Sequence, residues 1–98
     1  MTTRRRWLVA YDIRDEWRLR QVHDVVRSYG FRLQYSLYVC DLTPIEKIGL
    51  LQDLRSVVNQ VVDSVAFIDL GDTGPASTNR IQYMGNAAAL PEDGPTVI

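Results

Sequence analysis

Two apolar stripes at helical spacing, each set between short β-favouring runs, constrain this chain more than any other feature. Trp7-Leu-Val-Ala-Tyr11 is an apolar run with the length and composition of a buried strand. From Glu16 to Tyr29, Leu19, Val22, Val26 and Tyr29 recur at three- and four-residue steps, which predicts a helix. Asp15 stands at its N-cap, and Gly30 stands where a left-handed glycine ends many helices. Phe31 to Cys40 alternates and is rich in aromatic and β-branched residues, so it reads as two strands meeting at a tight bend near Gln34 to Ser36. Thr43-Pro44-Ile45-Glu46 combines an N-cap threonine, proline at N1 and glutamate at N3, the pattern of a capping box. Ile45, Ile48, Leu51, Leu54, Val58 and Val62 then mark one face of a second helix ending near Gln60. Ser64 to Leu70 predicts another strand, Gly71 to Asn79 a loop, Arg80 to Met84 a short late strand, and Asn86 to Ile98 a tail.

The resulting order is βαββαβ plus one strand, the α+β ferredoxin-like pattern: an antiparallel sheet with both helices on one face. With 98 residues the chain suits a single core. Residues 1–85 form the domain, including the late strand at 80–85, and 86–98 are left as a tail. The second sheet face, crossed by two aromatic-rich strands, cannot stay bare. A second copy is the simplest cover, and the late strand is free to pair with a sheet edge on that partner.

Hydrophobic residues make up 46% and charged residues 23%, an ordinary folded balance. Apolar runs are too short to span a membrane. Arg4, Arg5 and Arg6 precede one such run, but it ends at Asp12, too soon for a secretory signal. Cys40 is the only cysteine, which excludes an internal disulfide and a cysteine-cluster zinc site. A cytoplasmic location is the default expectation. The net charge of -1 hides an asymmetry: residues 1–32 hold eight arginines against four acids, and the remainder holds three basic residues against eight acids. Arginine forks onto phosphate oxygens. A basic face of this kind fits nucleic acid and fits a solvated helix face equally well.

Candidate chemistry is sparse. Asp12 closes the first strand, where its carboxylate either caps the next helix or projects over the sheet edge. Asp15 and Glu16 suit capping and the helix dipole. His23 is the only histidine and is expected in a solvated or capping role, which leaves no histidine base. Tyr35 and Tyr38 suit packing in a dimer interface better than stacking on bases, and Cys40 suits a buried small hydrophobe.

One ordered set of residues is more specific. Tyr11-Asp12-Ile13, Asp15-Glu16, Arg18 and Arg20 are followed by the run Tyr29-Gly-Phe-Arg-Leu-Gln-Tyr-Ser-Leu-Tyr-Val-Cys40 and by Asp63-Ser64-Val65. Together, over Leu8 to Gly85, these resemble the CRISPR-associated protein 2 family, the smaller of the two universal spacer-acquisition proteins. The resemblance implies a ferredoxin-like homodimer with its last strand exchanged. It implies a magnesium-type ion, with manganese as a substitute, held by the catalytic Asp12 of each copy. It also implies metal-dependent cleavage of RNA or DNA, and a bridge between copies of the larger CRISPR integrase partner. The match carries the arginine and serine of its Arg-x-Gln-x-Ser stretch onto Arg32 and Ser36. Arg14 and Arg18, in the basic third, are the further expected nucleic-acid contacts. The chain departs from the family at Trp17, Tyr38 and Val39, and its tail after Gly85 has no counterpart.

One carboxylate binds a hard ion weakly, because magnesium takes six oxygens. A two-fold axis supplies a second Asp12, and waters and a substrate phosphate complete the shell; the ion then polarises the phosphoryl oxygen. Against this enzymatic expectation stands an architectural one, a non-catalytic bracket that binds duplex DNA and docks the integrase through its arginine-rich faces.

Overall fold

A computed structural model describes residues 3–78, 80–86 and 94–98. Strand β1 (Arg5–Asp12) lies at the centre. It pairs antiparallel with β3 (Leu37–Leu42) on one side and with β4 (Ser64–Asp72) on the other, and β2 (Phe31–Gln34) completes the order β2-β3-β1-β4. Alternation along β1 sets both faces of the sheet. Trp7, Val9 and Tyr11 point to one side, opposite Cys40 and Tyr38 of β3 and Val65 and Phe67 of β4. Helices α1 (Glu16–Arg27) and α2 (Pro44–Arg55) pack on that same side. Val9, Val22, Val26 and Leu50 are fully buried there, and each such side chain contributes about 1.5–3 kcal/mol. The ammonium of Lys47 closes the layer, 3.6 Å from the ring centroid of Trp7. This is the expected ferredoxin-like α+β arrangement.

Both predicted helix starts are present. The Asp15 side chain accepts the Arg18 N–H, and the Thr43 capping box is complete in both directions. The helix ends come earlier than periodicity predicts. Ser28 and Ser56 each turn their hydroxyl onto the carbonyl three residues back, Val25 and Asp53, at 2.7 Å. Such local bonds compete with further helix. The buried face of α2 is turned from the predicted stripe: Ile45 is 78% exposed and Ile48 is exposed, Leu50 outside the stripe is fully buried, and Leu54 within it is buried as predicted. Apolar residues surround this helix, so spacing alone does not choose the side that meets the sheet. Val62 lies beyond the helix end and is exposed.

Gly30 is needed for a different reason from the one its position suggests. It does not adopt the left-handed backbone. A Cβ there would sit 2.2 Å from the Val39 carbonyl oxygen and 2.7 Å from Cys40 Sγ, because the turn leaving α1 runs directly against β3.

The carboxyl-terminal part holds two features that the sequence does not announce. A four-residue helix, α3 (Pro75–Thr78), forms inside the predicted loop. The predicted late strand forms only as β5 (Gln82–Tyr83), and β6 (Thr96–Val97) pairs with it in parallel register. Of the predicted tail, residues 87–93 lie outside the described residues. Among the described residues no helix is long and apolar enough to cross a membrane.

Replacing Gly30 by alanine is expected to force the turn away from β3 and cost about 1–3 kcal/mol, the usual range for overpacking. Urea unfolding of Gly30→Ala beside wild type measures it.

Candidate metal and nucleic-acid site

The carboxyl end of β1 is where the predicted site residues gather. Strand alternation places Asp12 with Leu8 and Ala10 on the face turned away from the helices, next to Ser64 of β4 in register. Its side chain is 64% exposed, and Arg14 Nη2 lies 3.4 Å from its carboxylate. The Asp12 carboxylate therefore projects over the sheet end, and the helix is capped instead by Asp15. Ser36 stands alongside, since its carbonyl accepts the Tyr11 N–H at 3.1 Å. Arg32 does not join them. It pairs in register with Tyr38 on the outer strand β2, two strands from β1, and on the helix side of the sheet.

Arg18 has a structural engagement. Its guanidinium forks onto the fully buried Asp63, with Nε at 2.8 Å and Nη2 at 3.1 Å. The same carboxylate accepts the backbone N–H of Arg14 and that of Asn59, each at 2.9 Å. The Arg18 guanidinium, aided by those two N–H groups, holds the Asp63 carboxyl well below the usual carboxylate range. Asp63 thus ties the loop between β1 and α1 to the loop before β4, and Arg18 fixes the Asp12 end rather than reaching outward. The sequence signal for this is the acid placed directly before the strand that opens at Ser64.

The basic amino-terminal third is largely neutralised in space. Arg4 pairs with Glu46, Arg5 with Asp69 and Asp72, Arg6 with Asp41, Arg14 with Asp12, Arg18 with Asp63, Arg20 with Glu16 and Arg27 with Asp24. Four of these seven arginines take acids from beyond residue 32, so the asymmetry along the sequence does not become a bare basic face. Among the described residues, Arg32 is the one arginine of the first 32 residues with no acid partner.

His23 is not simply solvated. Its Nδ1 shares a short hydrogen bond with the Tyr11 hydroxyl, and its Nε2 is buried without a partner. Burial, then the nearby Arg32 and Arg27, lower the His23 pKa, so the ring is neutral. Burial likewise raises the Tyr11 pKa, which keeps its hydroxyl protonated. Cys40 is fully buried and its thiol is pushed up to about 12, so it is no nucleophile. Tyr38 is buried in the helix-side core and stacks with Tyr11, out of reach of a partner or a base.

The model of the family described as CRISPR associated protein Cas2 matches residues 5–76, most of the chain. The chain belongs to the Cas2 family. It is 37% identical over 65 residues to a protein of Rhodospirillum rubrum named CRISPR-associated endoribonuclease Cas2 1; the match covers 66% of this chain and 64% of the length of that relative. A second Rhodospirillum rubrum protein, named CRISPR-associated endoribonuclease Cas2 3, is 28% identical over 96 residues, covering 93% of this chain and 98% of its own. Among solved structures, Cas2 of Streptococcus pyogenes at pH 6.5 superposes with a TM-score of 0.61 at 32% identity, covering 64% of this chain and 82% of that one. A hypothetical protein from Thermus thermophilus superposes with a TM-score of 0.66 at 29% identity, covering 67% and 80%.

The depressed Asp63 pKa makes a stability prediction with a definite sign. A carboxyl with a folded pKa below its unfolded value of about 3.9 stabilises the fold above that pH and loses its contribution as the pH falls toward the folded value. Asp63→Asn is therefore expected to be less stable than wild type at pH 7, with the gap narrowing as the pH drops below about 4. Thermal melts across pH 3–7 check this, and a gap that stays constant would show that the charge of Asp63 is not what matters.

Proposed function

We propose that the chain works as a homodimer that cleaves phosphodiester bonds of RNA or DNA, with Asp12 of both copies holding one divalent cation. We further infer that it does so in CRISPR spacer acquisition, in the cytoplasm and beside the integrase partner. Residues 1–85 are the working unit, and 86–98 an accessory. The observation that carries this reading is the placement of Asp12. It is an exposed carboxylate on the rim of a sheet face that carries Leu8, Ala10, Ala66 and Ile68 and has no helix over it. The β1–β4 half of that face is open, with Ala66 exposed and Ile68 46% exposed. A second copy laid on this half removes apolar surface from water, and the same contact carries two Asp12 groups toward each other.

The donor set fits a shared hard cation and does not fit a private one. Among the described residues no three metal-binding side chains cluster within one chain; in this reading the second carboxylate is the partner copy's, with waters and phosphate oxygens completing six positions. Magnesium, or manganese in its place, supplies Lewis-acid polarisation of the scissile phosphate when bound. The residues of the chain do the rest. Arg14 pairs with Asp12 at the sheet end and would meet a phosphate held there. Ser36 lines the same end, and Arg18 with Asp63 holds the β1–α1 loop still. The nuclease names of the relatives support the same chemistry.

Asp12→Asn is expected to lower cleavage about 10²–10³-fold, the cost of losing one preorganised electrostatic contact. Dimerisation, by sedimentation, and binding to labelled oligonucleotides should be retained. Excess chelator should have the same effect on wild type. Cleavage unchanged in the mutant or in chelator would leave the non-catalytic bracket as the function of the fold.

A further inference from the structure

The Asp12 side chain has no rigid anchor of its own. Among the described residues its one charged contact is the exposed pair with Arg14 at 3.4 Å, and exposed pairs hold weakly. Its aim therefore comes from the backbone of β1, and the neighbouring Tyr11 fixes that backbone. The Tyr11 N–H is bound to the Ser36 carbonyl at 3.1 Å, and its main chain lies in register with Val65 of β4. Its buried side chain carries the hydroxyl to Nδ1 of His23 on α1. Burial keeps that hydroxyl protonated and the imidazole neutral. Among the described residues Nδ1 is the one hydrogen-bond partner of the hydroxyl. The hydroxyl therefore donates, Nδ1 accepts, and the ring carries its proton on Nε2, which is buried without a partner. An unpaired buried N–H is destabilising, so packing alone gives no reason for a histidine here. A phenylalanine would fill the place without that cost. What the histidine adds is the acceptor.

We propose that His23 is a positioning residue for the cation site: by accepting the Tyr11 hydroxyl it sets the twist of the β1 end, and with it the direction of the Asp12 carboxylate. This rests on the shared-cation reading and deepens it. Tyr11 and Asp12 are consecutive strand residues whose side chains leave opposite faces, so a rotation of the strand end moves both together. Magnesium tolerates little departure from octahedral geometry, and two-fold symmetry repeats any error of one copy in the other. A carboxylate free to swing must be ordered when the ion binds, and that ordering lowers affinity. Helix α1 is a firm support for the acceptor. Val22 and Val26, on the same helix, are fully buried in the core, and Arg18 is clasped to Asp63. The His23 ring is itself held edge-on between Tyr11 and Tyr35, with centroids 5.5 and 5.1 Å away.

The test is manganese binding to the purified protein without nucleic acid, read from the electron paramagnetic resonance of the free ion. His23→Phe removes the acceptor and Tyr11→Phe the donor. Each is expected to weaken manganese binding about tenfold, the low end of the loss when a group that orients a metal ligand is removed. The double variant should bind no more weakly than either single one, because both delete the same bond. His23→Asn, whose side-chain oxygen can stand where Nδ1 stands, should restore most of the affinity. Binding of a labelled oligonucleotide in chelator should be unchanged throughout. All titrations are run below the thermal transition of each variant, so a loss of manganese affinity reports the site and not the fold. Should His23→Phe fail to fold, Tyr11→Phe, which lacks a single oxygen atom, decides together with His23→Asn. Unchanged manganese affinity in Tyr11→Phe, additive losses in the double variant, or no recovery in His23→Asn would each overturn the positioning role. Asp12→Asn separates this from failure of the underlying reading. If it binds manganese as wild type does, the shared site falls and the role of His23 with it; if it loses binding that Tyr11→Phe keeps, the positioning role alone falls.

Discussion

The end of the molecule that carries Asp12 depends on one buried carboxylate. Asp63 gathers four N–H donors from three segments: two from the Arg18 guanidinium, one from the Arg14 backbone and one from Asn59. Without it, the loop leaving β1 and the loop entering β4 have no shared fixed point, and Arg14 and Arg18 have no set direction. A fully buried charge is costly unless every lone pair is occupied. Here they are occupied, and the cost is met by rigidity at the place where a carboxylate must be aimed.

A second layer of order comes from aromatic and histidine packing. Tyr11, one residue before Asp12, is locked to His23 on α1, and His23 abuts Tyr35 in the β2–β3 turn. Three elements therefore meet around one neutral imidazole. The central strand supplies both arms of this arrangement. Tyr11 faces the helices and Asp12 faces the open side, so a one-residue slip of β1 would exchange them and lose both placements at once.

Much of this is legible in the sequence. The capping box at Thr43, the N-cap at Asp15 and the alternating runs fixed the element order, because each is a local signal with a local cause. The Asp12 assignment came from its strand-end position and the family pattern around it. What escaped was decided by long-range contact. The partners of Arg4, Arg5, Arg6 and Arg18 lie 35 to 67 residues away along the chain, so no window of sequence reveals that these charges cancel. The buried side of α2 is chosen by the shape of the sheet beneath it, since its apolar residues point every way. The role of Gly30 is set by a neighbour on β3, and the pairing of β5 with β6 joins segments separated by a stretch with no strand signal.

The ion-paired surface has a consequence for how this protein holds a polyanion. Where arginines stand bare, a phosphate displaces only mobile salt ions, and affinity collapses steeply as ionic strength rises. Here a phosphate approaching Arg4, Arg5 or Arg27 meets an occupied guanidinium and must exchange places with a carboxylate that stays close by and repels it. Exposed pairs of this kind are worth about 0–1 kcal/mol each, so the exchange is feasible but gains little. Indiscriminate adhesion to a polyanion is thereby damped by the fold itself.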